Sequence, residues 1–212
     1  NVYTADTDSE VTPEVKYMEG FTLPEVQTAI VNGEGTTVVR YFYKRNVHRL
    51  TLVLDNGQDD VVYDYMYGTK IDVINPERTG YTFTGWSGTE ITGVSDNVSV
   101  KQGSIEKREY KANWRENTYQ ITFILSGTEA KGSMAAKTVN YTENVTLPKC
   151  GFTCKGHSFK RWYTVDKKGK KTYYSDRQKV SKLTDVNGGV VTLYPESVSY
   201  THLRAHETLS DL

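Results

Sequence analysis

The sequence is poor in the residues that favour helices, zinc sites and catalytic centres. Its 212 residues include only 7 Ala, 11 Leu, 5 Pro, 4 His and 2 Cys. Ala and Leu are the leading helix formers, so their scarcity argues against an α-helical protein. A structural zinc ion takes four ligands, and a single cysteine pair without a second pair is a weak signal for one.

The chain also lacks an excess of either charge and any long apolar run. It has 26 Lys+Arg against 26 Asp+Glu and a sequence pI near 7.1. This balance argues against a binder of nucleic acid or of anionic membranes. No run approaches the ~20 apolar residues that a membrane helix needs. What the chain does have is 27 Thr, 23 Val and 16 Tyr, which fit half-buried strands. The composition predicts a β-rich protein.

The two ends have an unusual character. No basic or apolar leader follows Asn1, and no apolar anchor closes the sequence, so neither a secretory signal nor an anchor is visible here. Residues 198–208 resemble the conceptual translation of a sequencing adapter. Residues 197–212 are therefore predicted to be a non-native tail, with a short disordered tail as the alternative.

An internal repeat organises the middle of the chain. Leu50–Leu54 matches Ile121–Leu125, and both alternate as strands do. Each is followed by a glycine-containing turn and a second strand, Val61–Tyr67 in one copy and Ala136–Tyr141 in the other. The repeat predicts two units of the same fold.

The strongest match between the copies is an aromatic signature. Gly80-Tyr81-Thr-Phe83-Thr-Gly85-Trp86 aligns with Gly156-His157-Ser-Phe159-Lys-Arg161-Trp162. The first copy closes on Tyr110 and Trp114; the second reaches Tyr194, and its closing Trp would fall near position 197. Side chains three apart point to opposite faces of a strand, so a bend or bulge is needed to turn Phe83 and Trp86 inward. Gly85 permits one, but Arg161 at the matching position weakens that account.

These motifs resemble the Listeria–Bacteroides repeat family, also called the internalin B-repeat. The resemblance implies a β-rich α+β fold: tandem, small, β-grasp-like (ubiquitin-like) domains, each a mixed sheet with one short helix. It sets the first repeat at 47–116 and the second at 117–196. Residues 1–46 look like the C-terminal remnant of a preceding mucin-binding-type or B-repeat-like module plus linker.

The segment before the repeats has signals of its own. Pro24 favours a short helical turn within Phe21–Ile30. Thr36–Lys44 reads as a strand. Between the repeats, 115–117 reads as a short linker.

Few residues are candidates for chemistry. Cys150 and Cys154 allow a local disulfide across a turn, two unpaired thiols or, most weakly, a metal site. His157 holds a usual aromatic position and is expected to pack, while His48 is expected to start an exposed strand. No catalytic motif is present in the sequence, so no catalytic residue, cofactor site or metal site is predicted.

Two features allow a ligand-binding interpretation. Lys167, Lys168, Lys170 and Lys171 lie around one glycine. They indicate either a patch for an acidic partner or a solvated hairpin loop, which is favoured. Tyrosines alternate along two predicted strands: Tyr41, Tyr43, Tyr63, Tyr65 and Tyr67. They either stack on sugars or, as favoured, pack inside the domain.

The resemblance predicts the function. It implies a spacer or stalk of a bacterial cell-surface, wall-attached or secreted protein that presents other domains, with neighbouring repeats as partners. The alternative is an adhesin segment that binds host or matrix glycan or protein through Tyr63, Tyr65 or the lysine loop. No enzyme activity, no nucleic-acid partner and no membrane span in this segment are expected.

Overall fold

The computed structural model describes residues 2–100, 107–125, 127 and 129–200. Within these ranges the chain forms twenty β-strands and no helix. The first eleven are β1 (Glu10–Val11), β2 (Phe21–Thr22), β3 (Ala29–Ile30), β4 (Lys44–Arg45), β5 (Val47–Val53), β6 (Val61–Met66), β7 (Ile71–Asp72), β8 (Tyr81–Gly88), β9 (Ile91–Ser95), β10 (Ser99–Val100) and β11 (Lys107–Glu116). The others are β12 (Thr118–Phe123), β13 (Ala130–Lys131), β14 (Lys137–Asn140), β15 (Val145–Thr146), β16 (Thr153–Cys154), β17 (His157–Val165), β18 (Lys171–Tyr174), β19 (Lys179–Val180) and β20 (Gly189–Ser199).

Two five-stranded sheets share one topology. The first has the order β6-β5-β11-β8-β9 and the second the order β14-β12-β20-β17-β18. In each, the first strand of the repeat pairs antiparallel with the second and parallel with the last. Both sheets are therefore mixed, as predicted, and the sequence repeat is also a repeat of topology.

The chain divides into two compact units. The first comprises Asn1–Pro76 and Thr84–Asn113, and the second comprises Glu77–Phe83 and Trp114–Leu212. The second unit thus includes the start of the aromatic signature and the closing Trp of the first repeat. Residues 115 and 116 continue β11, and Asn117 is buried, so the linker predicted at 115–117 is wrong.

Each unit has a core made by strand alternation. In β5 the inward positions are His48, Leu50 and Leu52, and all three are buried. The expectation that His48 is exposed is therefore wrong: it stacks on Tyr65 with ring centroids 5.6 Å apart. The second core contains ten buried residues: Tyr119, Ile121, Phe123, Val139, Val145, Leu147, Trp162, Val180, Val191 and Leu193.

The expected helices are absent from the described residues. The short apolar segments that follow the second strands are extended, and β7 pairs with β10 while β15 pairs with β19. Before the repeats, the helical turn predicted at Pro24 is missing. The strand predicted at Thr36–Lys44 is reduced to β4, which pairs with β2.

The strand that carries the signature is irregular in both copies. Gly85 has φ +124°, and a Cβ there would lie 2.5 Å from Val94. In the second copy, the β17–β20 register shifts between Phe159 and Arg161. The bulge lets Phe159 meet Trp162 with ring centroids 4.9 Å apart, so it needs no glycine.

The last described strand runs beyond the predicted repeat boundary. β20 extends to Ser199, and its register places Ser197 opposite Phe159. The beginning of the predicted tail therefore takes part in the second sheet. Residues 201–212, which carry most of that tail, lie outside the described residues.

Candidate functional site

Several large aromatic residues of the signature are buried. Trp86 and Trp162 are fully buried, and Tyr110 is nearly so. The Trp86 indole donates a hydrogen bond to Asn75 Oδ1 at 3.1 Å. Tyr194 stacks on Tyr163 with centroids 5.4 Å apart. These residues take part in packing and hydrogen bonding within their units.

Gly80 lies against the ring of a residue from the second repeat. Its φ is +77°, and a Cβ there would lie 2.1 Å from the Tyr141 ring, so only glycine fits. Tyr81 meets the same ring edge-on, with centroids 6.4 Å apart. All of these residues lie in the second unit.

Asn117 connects the two sides of this contact. Its backbone N–H donates to the Gly80 carbonyl at 2.9 Å, and its carbonyl accepts from the Tyr141 N–H at 2.8 Å. Its side-chain Oδ1 accepts from the Thr82 hydroxyl at 2.6 Å. We call Gly80, Thr82, Asn117 and Tyr141 the tyrosine latch.

A second tyrosine latch lies in the first unit. A Cβ on Gly20 would lie 2.2 Å from the Tyr67 ring. Asn46 donates its N–H to the Gly20 carbonyl at 2.8 Å and accepts from the Tyr67 N–H at 2.9 Å, while Thr22 donates to its Oδ1 at 2.8 Å. Sequence reasoning missed both latches. The sequence does contain a signal for them. Asn46 lies two residues before the buried His48 of β5, and Asn117 lies two residues before the buried Tyr119 of β12.

Ser197 of β20 lines a cleft in the second unit. The cleft has a volume of about 160 Å³, and its described lining is Ala130, Cys150, Phe152, Thr153, Cys154, His157, Phe159, Pro195 and Ser197. In the first repeat the partner of Phe83 is Trp114, whose ring it meets edge-on at 5.6 Å. Ser197 occupies the matching position, as the alignment of the copies predicts.

Both cysteines at the cleft are free thiols, so the local disulfide considered from the sequence is not formed. The intervening backbone is extended into β16, and the thiols have separate neighbours. Cys150 Sγ lies 3.8 Å from the Phe152 carbonyl, and Cys154 Sγ lies 3.6 Å from His157 Nδ1. Burial raises the pKa of Cys150, which disfavours its reactive thiolate.

The alternating tyrosines are mostly engaged within the protein. Tyr65 is only 8% exposed, so its prediction as a ligand contact is wrong, whereas Tyr63 is 45% exposed. The hydroxyls of Tyr41 and Tyr43 donate to the backbone carbonyls of Pro13 and Lys16, both at 2.7 Å. The favoured interpretation, packing, holds for these rings, but they pack against extended backbone because no helix is there.

The lysine-rich segment is a hairpin loop between β17 and β18. Asp166 Oδ1 accepts from the backbone N–H of Lys168 and Lys170, which fixes the turn. Lys171 Nζ lies 4.4 Å from the Tyr163 ring centroid. Lys167, Lys168, Lys170 and Lys171 are all exposed, and β18 is the edge strand of its sheet. The geometry is that of a solvated loop on a sheet edge.

Three carboxylates shape the local electrostatics. Hydrogen bonds from Thr142 hold the pKa of Glu116 below its ordinary value. The Arg161 guanidinium does the same to the pKa of Glu196. Burial acts to lower the pKa of the Arg108 guanidinium, whereas pairing with Glu90 raises it. The net shift of this pKa is upward. These pairs stabilise charges on the sheets.

The described residues assemble no recognised chemical centre. Within residues 2–100 and the later described ranges, no group of three or more His, Cys, Asp or Glu side chains is placed to hold a metal ion. In the same part of the chain, no helix is long and apolar enough to cross a membrane. The fold and the latches define a tandem-repeat β protein whose recurring feature is structural.

The particular family follows from comparison with known families. The sequence profile of the Listeria-Bacteroides repeat domain matches residues 51–104 and 119–194, more than half of the chain. The protein belongs to this family, with two copies, as the motifs predict.

Two relatives come from Evansella cellulosilytica. A provisionally named Gly-rich membrane protein is 28% identical over 119 residues, and a provisionally named membrane protein is 27% identical over 119 residues. Each match covers 56% of this chain. The chain spans 13% of the length of the first relative and 17% of the second.

Proposed function

We propose that the two repeats are spacer units of a bacterial surface or secreted protein, which hold other domains away from their point of attachment. The observation that carries this proposal is the repetition of one sheet topology, one buried Trp and one tyrosine latch. A repeated unit that differs little between copies suits a role that depends on length. Neighbouring repeats of the same chain are the natural partners, and no catalytic step or cofactor is part of the role.

The relatives support an envelope location. Both carry names that describe membrane proteins, and both are several times longer than this chain. A repeat segment that makes up less than a fifth of such a protein suits a connecting element. We therefore propose that the repeats lie outside the cell, at its surface or wall. We also propose that each repeat is a β-grasp variant in which extended segments replace the helix, because the first and last strands pair in parallel.

Small-angle X-ray scattering on the full chain tests the spacer role. A compact protein of about 200 residues has a radius of gyration of ~16 Å. A spacer should give a clearly larger value that stays constant from low to high salt. A radius near the compact value would contradict the proposal.

A second candidate is an adhesin, and one observation favours it: Tyr63 stays exposed on β6. An exposed ring on a strand can stack on a sugar, and the four lysines of the hairpin loop can attract an acidic glycan. This surface would bind host or matrix glycan or protein.

Binding of the full chain to mucin and to a glycan array tests the adhesin. Tyr63→Ala removes the exposed ring, and a variant with the four loop lysines changed to Ser removes the charge. Val62→Ala is the matched control, because Val62 is also exposed, on the other face of the same strand. Binding that Tyr63→Ala or the lysine variant abolishes and Val62→Ala keeps would support the adhesin. No binding by the unchanged chain would favour the spacer.

A further inference from the structure

One backbone arrangement occurs three times among the residues that the structure describes. In each case a glycine with φ near +75° directly precedes a strand. The residue directly after the partner strand donates its backbone N–H to the carbonyl of that glycine. The glycines are Gly20 (φ +79°), Gly80 (φ +77°) and Gly156 (φ +72°). The donors are Asn46, Asn117 and Tyr200, at 2.8, 2.9 and 3.0 Å.

The strand register at the third position is that of the first. Phe21 pairs with Arg45 directly after Gly20, and His157 pairs with Ser199 directly after Gly156. A hydroxyl residue comes next in all three cases: Thr22, Thr82 and Ser158. The glycine side of a tyrosine latch is therefore already formed at Gly156.

What differs is the cover over the glycine. A tyrosine ring lies within 2.2 Å of the Cβ position of Gly20 and within 2.1 Å of that of Gly80. Among the residues that the structure describes, nothing lies within 4 Å of the Cβ position of Gly156. Gly156 thus presents an open backbone face, with a positive φ, at the place where the other two glycines hold a ring.

We propose that the open face of Gly156 is a docking site for the tyrosine of another repeat of this family, seated as Tyr67 and Tyr141 are seated. The partner is defined by its chemistry. It carries an asparagine just before its first strand. The backbone N–H of this asparagine donates to the glycine carbonyl, and its backbone carbonyl accepts from the tyrosine N–H. It also carries a tyrosine at the end of its second strand, whose flat ring needs a neighbour without a Cβ.

The first part of the test asks whether the ring-on-glycine contact contributes to stability. Gly80→Ala and Gly156→Ala in the full chain impose the same positive φ on alanine, so their backbone costs match. Only Gly80→Ala drives a methyl group into Tyr141. In urea unfolding, Gly80→Ala should raise the unfolding equilibrium constant of the second unit about tenfold more than Gly156→Ala does. Equal effects would overturn the proposal.

The second part supplies the proposed partner. The full chain is extended by placing a copy of residues 117–200 directly after Ser199, so that the copied Asn takes the place of Tyr200. Gly156→Ala should then cost about tenfold more in the extended chain than in the parent chain. Changing the copied Tyr to Ala should remove this extra cost of Gly156→Ala, and a double-mutant cycle measures the loss.

Each outcome decides the matter. A Gly156→Ala cost that is the same in both chains overturns the proposal. The proposal is also overturned if near-UV circular dichroism shows that the copy stays unfolded while the parent is folded. The copy is offered the same kind of glycine face at Gly156 that residues 117–200 use at Gly80. The inference rests on the proposed role as repeated spacers, yet the two can fail separately. If Gly156→Ala has the same cost in both chains but the radius of gyration of the full chain is large, the docking proposal is wrong and the spacer role is still supported.

Discussion

A tryptophan at position 197 tests how the second sheet is completed. Ser197 lies opposite Phe159 and lines the cleft of about 160 Å³. In the first repeat the matching contact is an edge-on pair between Phe83 and Trp114. Ser197→Trp therefore places an indole in space that the serine leaves open, beside a ring that can pack against it.

The size of the gain follows from the cleft. A buried Trp removes ~150–250 Å² from water, which at ~25 cal/mol per Å² sets a ceiling of ~4–6 kcal/mol. Ser197 is itself exposed, so part of the indole stays in water, and the side chain also loses rotamer freedom. We expect a gain of about 1–2 kcal/mol in the free energy of unfolding. Each kcal/mol raises the melting temperature of a unit of 60–100 residues by ~4–8 °C.

Urea unfolding and calorimetry on the full chain measure this gain. Val198→Trp is the matched control, because Val198 is the next residue, points to the other face of β20 and is 44% exposed. It should change the free energy of unfolding by less than ~0.5 kcal/mol. Ser197→Trp that is no more stable than Val198→Trp would refute the match between Ser197 and Trp114.

Three further predictions concern the second unit. The pKa of Glu116 is lowered in the folded state, so its contribution is present above the ordinary carboxyl value of 4.5 and is lost as pH falls through the folded value. The stability gap between the parent and Glu116→Gln should close below about pH 4.5 in acid unfolding, whereas a constant gap would refute the role of Thr142. Trp162→Ala empties the core and should cost ~3–5 kcal/mol in urea unfolding; a cost under ~1 kcal/mol would contradict its burial. Alkylation without reductant should add two labels to the protein, as mass spectrometry detects. Cys150 should be labelled more slowly in the folded protein than in the protein unfolded by urea. A protein that takes up no label would contain a disulfide.

The strand pattern could be predicted because it depends on neighbours in sequence. The alternation of Leu50 and Leu52 sets one face of β5, and the same alternation recurs in β12. Burial of Trp86 and Trp162 follows from the same local signature. In these places residues a few positions apart decide the structure.

The latches and the missing helices could not be predicted in this way. Gly80 meets Tyr141 across 61 positions of sequence, and no local pattern reports that contact. The tyrosine repeat of β6 suggested one aromatic face, but Tyr65 is buried against His48 while Tyr63 remains exposed. The resemblance implied one short helix in each repeat without giving its position, and the described residues form paired short strands such as β7 with β10 and β15 with β19.

The parallel pairing of first and last strands determines how each sheet carries a load. β12 and β20 share a register of five residue pairs, as β5 and β11 do. Tension that pulls on the start of the first strand and the end of the last acts along these strands in opposite directions. The ladder between them is then loaded in shear, so its hydrogen bonds resist together, whereas an antiparallel hairpin pulled from its open end would release them one by one. Under such a pull, the parallel pair of strands is the part of each sheet that resists in shear.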